Sequence, residues 1–211
     1  MSIAAYIKII GRGKEGARSL GVEEARDLFE QVLDRQVTDL EIGAFCLAMR
    51  IKSESTEELD GFVQASHARC IDLSGATQEA PQGIVVLPSY NGARKLPNLT
   101  ALLAWELSRQ GVRVLVHGPS RDPGRVTTAR VFDAAGLPIV SDASALQAAW
   151  QAGRPAFMDI ADLCPPMDKL LAVRWTIGLR TPAHSVAKLL DPFAAASPDS
   201  IKSIRVVNHT H

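Results

Sequence analysis

A chain of 211 residues, 46% hydrophobic and 22% charged, has room for one substantial core, or one core plus a small helical lobe, and this composition excludes a disordered polymer. Formal net charge is zero, so the average charge calls for no polyanion partner; no apolar run approaches the ~20 residues that cross a bilayer, and residues 1–10 lack the pattern of a secretory leader. The three cysteines, Cys46, Cys70 and Cys164, are odd in number and share no metal-ligand spacing, which predicts buried thiols and a cytoplasmic location.

Residues 1–72 read as helices only. Ile3, Ile7 and Ile10 fall on one helical face, and Gly11-Arg-Gly13 ends that segment. Val22, Ala25, Leu28, Phe29, Val32 and Leu33 recur at spacings of three and four. Thr38 with Glu41, and Ser55 with Glu58, are capping boxes that open a third helix, through Phe45, Leu47 and Ile51, and a fourth reaching about Cys70. From residue 80 onward the pattern alternates. Strands are predicted at 84–87, 112–116, 137–140, 156–160 and 203–207, and helices at 98–110 (Asn98 as cap), 127–135, 144–152, 165–178 and 183–190. That order predicts an α/β domain over 80–211 with a parallel sheet and right-handed crossovers. The chain stops just after its last strand, so the α/β domain is expected to be incomplete, or its open edge covered by something else.

In open parallel sheets ligands bind beyond the carboxyl ends of the strands, which singles out the loops after Leu87, Val116 and Ile160. The first runs Pro88-Ser-Tyr-Asn-Gly-Ala-Arg-Lys-Leu-Pro-Asn98-Leu-Thr100. Ser89, Asn91, Gly92, Arg94, Lys95, Asn98 and Thr100 are its candidate anion-binding residues, at a helix N-terminus whose N–H groups attract negative charge. The plain alternative is a polar connection, since two prolines stiffen the loop and donate nothing. The second, His117-Gly118-Pro-Ser-Arg-Asp-Pro-Gly-Arg125, adds His117, Arg121 and Arg125, with a structural histidine and surface ion pairs as the alternative. Between Arg94 and Arg130 seven basic residues face two acids, a local excess of five positive charges. A solvated face with scattered counter-charges is the competing explanation. In the third region Arg174 stands beside Val173 and Trp175, Cys164 reads as inert core, and the spacing of His209 and His211 is discounted as a metal site at a chain end.

These blocks together resemble the anthranilate phosphoribosyltransferase family (glycosyltransferase family 3), and more closely its YbiB-type branch. The match is carried by Ile10-Gly-Arg-Gly-Lys14 with the helical start, Pro88 to Lys95 with Asn98-Leu-Thr100, Val116-His-Gly118, and the run from Phe157 through Arg180-Thr-Pro-Ala-His184 to Asp191-Pro-Phe193. The resemblance implies a helical domain over 1–72 beside a phosphoribosyltransferase-like α/β domain over 80–211, with helices 165–190 packing toward the helical domain and the family's C-terminal third missing. It also implies a phosphoribosyl pyrophosphate and magnesium site, with Arg174 matching the acceptor-pocket arginine that helps hold anthranilate.

The departures carry as much meaning. Where the family has Gly-Thr-Gly-Gly-Asp, this chain has Ser-Tyr-Asn-Gly-Ala-Arg-Lys, and where it has Lys-His-Gly-Asn, this chain has Val116-His-Gly-Pro119. The magnesium-binding Asp-Glu pair belongs to the absent third. Phosphoribosyl transfer needs a diphosphate leaving group cradled by backbone N–H groups and neutralised by metal. The expectation is therefore a protein with a degenerate phosphate loop, catalytically silent for anthranilate. The YbiB-type resemblance implies nucleic-acid binding by a homodimer formed through the helical domain, and the basic surplus is compatible with electrostatic, weakly sequence-selective binding through Arg94, Lys95, Arg121 and Arg125. The alternative is an active glycosyl- or phosphoribosyltransferase, magnesium-dependent, acting on an unidentified acceptor.

Overall fold

The computed structural model describes residues 2–77, 83–193 and 203–206, without the side chains of Lys14, Ser203 and Arg205; His209, His211 and the predicted strand end at Val207 lie outside them. In chain order the elements are α1 (Ala4–Ile10), α2 (Gly13–Gly16), α3 (Val22–Leu33), α4 (Asp39–Lys52) and α5 (Thr56–His67), then β1 (Ile84–Pro88), α6 (Thr100–Arg109), β2 (Arg113–Gly118), α7 (Thr128–Ala134) and β3 (Ile139–Val140). There follow α8 (Ala143–Gln151), β4 (Ala156–Asp159), α9 (Ile160–Leu163), α10 (Pro165–Ala172), α11 (Arg174–Ile177), α12 (Ala183–Val186) and β5 (Ser203–Arg205). They divide into two compact units: residues 1–69 with 166–190, and residues 70–165 with 191–211.

The first unit is helical. Its centre is a triad of wholly buried rings, Phe29 on α3, Phe45 on α4 and Phe62 on α5, with Phe29 and Phe62 stacked at 4.5 Å and Phe45 edge-on to both. Both predicted capping boxes form. Thr38 Oγ1 accepts from the Glu41 N–H while the Glu41 carboxylate accepts from the Thr38 N–H at 2.9 Å, and Ser55 and Glu58 repeat the exchange. The Glu41 carboxylate also accepts from Ser2 Oγ and the Ile3 N–H, tying the start of α1 to α4. Those hydrogen bonds, the Thr38 N–H foremost, hold its pKa down at about 2. The helix expected over 165–178 divides at β-branched Val173, where the N–H turns to the carbonyl of Leu170, three residues back.

The second unit is an α/β layer. Its sheet has the order β3-β4-β2-β1-β5, and every neighbouring pair is parallel. The crossovers between parallel strands are filled by α6, α7 and α8, as the alternation of patterns predicts. Leu87, Val114, Val116 and Phe157 from the strands meet Ala101 and Ala104 of α6, Ala129 and Phe132 of α7, and Leu137 in one core. Burial on both faces accounts for the continuous apolar runs of β1 and β2. Because all strands run the same way, their carboxyl ends share one edge, and the loops 89–99 and 119–127 emerge there, with α9 following β4 directly.

Candidate functional site

The loop after β1 does not stand open over that edge. It is sewn to the loop after β2 by its own polar groups. The N–H of Ser89 donates to the carbonyl of His117 at 2.7 Å, extending the β1–β2 ladder by one residue. Ala93 and Val126 exchange both backbone hydrogen bonds, each at 2.9 Å. Ser89 Oγ and Thr128 Oγ1 are hydrogen-bonded at 2.6 Å, and the Asn98 amide donates to Thr128 Oγ1 (3.0 Å) and to the Val126 carbonyl (3.3 Å). The Arg125 guanidinium donates to the carbonyls of Asn91 and Gly92. Asn98 Oδ1 accepts from the Thr100 N–H, so α6 starts two residues after the asparagine expected to cap it.

Two glycines allow this closeness. A Cβ at Gly92 would lie 2.9 Å from the Val126 carbonyl oxygen, and one at Gly118 would lie 2.2 Å from the Ser89 carbonyl oxygen. Gly92 is thus used to approach the neighbouring loop. Beneath the loop, Tyr90 is buried and its hydroxyl meets Nδ1 of His117 at 2.8 Å. His117 has no exposed surface, and burial alone pulls its pKa down to about 3, so the ring is neutral. Its Nε2 has no hydrogen-bond partner among the described residues.

The predicted site residues therefore fall into two groups. Ser89, Asn98 and Arg125 are engaged in holding the two loops together, the Thr100 N–H is engaged with Asn98, and the carbonyls of Asn91 and Gly92 are accepting from Arg125. Arg94, Lys95 and Arg121 are exposed, and none enters an ion pair with another described residue. Tyr90, Thr127 and Thr128 escaped the sequence reading. Thr127 caps α7, accepting from the Arg130 N–H, and donates to the Ser120 carbonyl at 2.9 Å. A pair of threonines before a helix signals its start, but not what the second hydroxyl will meet.

In the helical unit the Arg174 guanidinium lies over the exposed Trp175 ring, 4.4 Å from its centroid, a cation–π stack that orients it. Nearby His184 accepts from the Thr181 N–H through Nδ1, and its pKa is lowered to about 4 by burial and by the positive charges of Arg174, Arg180 and Lys188. Burial, reinforced by Arg180, also lowers the Lys188 pKa. Among the described residues no three His, Cys, Asp or Glu side chains gather in a way that could hold a metal ion. No helix among the described residues is long and apolar enough to cross a membrane.

Comparison with known proteins places these features. Residues 4–70 match the helical bundle domain of the glycosyl transferase family. The chain is 42% identical over 205 residues to YbiB, an uncharacterized protein of Escherichia coli K12, covering 97% of this chain and 63% of that one. It is 26% identical to the anthranilate phosphoribosyltransferase of Dehalococcoides mccartyi strain 195, over 84% of this chain and 51% of the enzyme. Its fold matches that of the Thermus thermophilus anthranilate phosphoribosyltransferase with a TM-score of 0.73 at 19% identity, over 94% of this chain and 57% of the other. The chain thus spans between about half and two thirds of the length of the relatives it matches. The helical bundle, the parallel sheet and the likeness to YbiB agree in making this chain similar to the anthranilate phosphoribosyltransferase-like proteins of glycosyltransferase family 3.

Proposed function

We propose that this protein does not transfer phosphoribosyl groups to anthranilate and instead binds nucleic acid through the cations left exposed at the carboxyl edge of its sheet. One observation carries the reading. The loop that wraps a diphosphate in the family's enzymes is here closed on residues 119–127 by its own hydrogen bonds, while Arg94, Lys95 and Arg121 point to solvent with no ion-pair partner among the described residues. A diphosphate needs converging N–H groups at short range, whereas exposed cations on a stiff loop suit the repeated, widely spaced charges of a nucleic-acid backbone. Arg125 has a supporting role in this reading: it fixes the loop that presents the other three. Aromatic content of 5% offers little base stacking, so selectivity for sequence is weak. The reading places the protein in the cytoplasm.

The working form is a homodimer joined through the helical domain. Leu40, Leu47 and Ile51 lie seven and four residues apart along α4, on one face, and are 83%, 47% and 53% exposed. Light scattering on the wild-type chain and on L47E is expected to give a dimer and a monomer; a wild-type monomer at high concentration removes this part.

The test of binding is a titration of a labelled single-stranded oligonucleotide at several salt concentrations. Affinity should fall steeply with salt, and Arg94→Ala with Lys95→Ala should reduce the slope of log K against log[salt] by roughly 1.4, about 0.7 for each lost phosphate contact. Absent or salt-independent binding overturns the proposal. Saturable calorimetric binding of phosphoribosyl pyrophosphate with magnesium would restore the transferase reading.

A further inference from the structure

Cys70 and Cys164 lie far apart in sequence and together in space. The chain runs side by side at these positions: the Ile71 N–H donates to the carbonyl of Leu163 at 2.8 Å, one residue from each cysteine. The two thiols are within hydrogen-bonding reach of each other, Cys164 wholly buried and Cys70 partly exposed. Residues one step from a backbone hydrogen bond between adjacent chain segments fall in the Cα separation that a disulfide spans. Cys46, by contrast, is buried within α4 of the helical unit.

We propose that Cys70 and Cys164 form a redox couple, closing to an intramolecular disulfide on exposure to a low-molecular-weight disulfide. The partly exposed Cys70 sulfur attacks the reagent, breaking its S–S bond and releasing one thiol, with the Cys70 proton going to that leaving group. The Cys164 sulfur then attacks Cys70 Sγ in the mixed disulfide, and its proton leaves with the second reagent thiol. Two protein thiols are oxidised and one reagent disulfide is reduced to two thiols. The chain passes from one compact unit to the other after Arg69 and again after Pro165. The link therefore lies beside both passages and fastens them to each other, which gives it a structural consequence that Cys46 cannot have.

The hydrogen bond that the Cys70 thiol makes to Cys164, reinforced by burial, pushes it well above its ordinary value, so the thiolate is scarce at neutral pH. Formation is slow there and should quicken about tenfold per pH unit on the alkaline side. The folded wild-type chain, incubated with oxidised glutathione at pH 7.5 and 8.5 and read by intact mass and peptide mapping, is the test. The expected result is a loss of two hydrogens, reversed by reductant, with one cross-linked peptide joining Cys70 to Cys164, unchanged in C46S and absent in C164S. A stable glutathione adduct on Cys70, a link involving Cys46, or an unchanged mass at pH 8.5 overturns the couple. The wild-type measurement decides the matter even where a variant fails to fold.

Discussion

Glu58 sits in the first turn of α5 with its side chain wholly buried, and its two oxygens are fully used. Oε1 accepts from the Leu20 N–H at 3.0 Å, and Oε2 accepts from the Ser55 N–H at 2.8 Å and from Lys52 Nζ at 2.6 Å. Replacing it with alanine leaves two backbone donors without partners, at about 1–3 kcal/mol each, and strands the nearly buried Lys52 ammonium. Removing one partner of a buried ion pair costs about 3–5 kcal/mol. The two estimates overlap, and Lys52 keeps the Ser53 carbonyl and Ser19 hydroxyl as acceptors, which draws the total toward about 3 kcal/mol. Urea denaturation followed by circular dichroism should show that loss with the m value unchanged, and Tm should drop by roughly 10 °C. Glu58→Gln keeps shape and one acceptor, so it should fall between wild type and alanine. A loss below about 1 kcal/mol for Glu58→Ala would refute the idea that this carboxylate organises the helical unit.

Three further outcomes follow from particular positions. Ser53 has φ 68° and ψ 157°, a region almost confined to glycine, so Ser53→Gly should raise stability by about 1 kcal/mol in the same assay; a decrease would show that the strain is absent. Gly118→Ala drives a methyl against the Ser89 carbonyl, and about 3 kcal/mol of lost stability with faster amide exchange over residues 89–99 is expected, against no change in either if the loop is loose. His117 has a folded pKa near 3 and His184 one near 4, both below the ordinary histidine value of 6.5. Below pH 6.5 the unfolded chain therefore binds protons that the folded chain refuses, and stability declines as pH falls through that window, by roughly 1.4 kcal/mol per pH unit for each histidine until its folded pKa is reached. Urea midpoints that stay level from pH 7.5 to pH 5 would contradict the burial of both rings.

Much of the fold was legible because its signals are local. The capping boxes at Thr38 and Ser55 need only four consecutive residues, and both form as the spacing predicts. The apolar runs of β1 and β2 declare strands buried on both faces. Expectation and structure part where an end depends on a distant partner. The helix expected to open at Asn98 begins at Thr100 instead: Asn98 Oδ1 still accepts from the Thr100 N–H, while its amide donates to Thr128 and Val126, thirty and twenty-eight residues away. Leu47 and Ile51 fit an apolar helix by composition, yet both are exposed on α4, since the ring triad fills the core from the opposite side.

The candidate site followed the same division. Residue types alone fixed the loss of a Gly-rich cradle at 88–95 and the arrival of Arg94 and Lys95, because a backbone that must enfold a diphosphate needs glycine and this stretch has one. Which polar groups remain available was decided by tertiary structure. Ser89, Asn98 and Arg125 read in sequence as anion ligands, and only the parallel pairing of β1 with β2 brings the following loops close enough for those groups to satisfy one another. A hydrogen-bonding side chain does not announce its partner, and the nearest acceptor after folding, not the chemistry of the side chain, determines whether it faces a ligand.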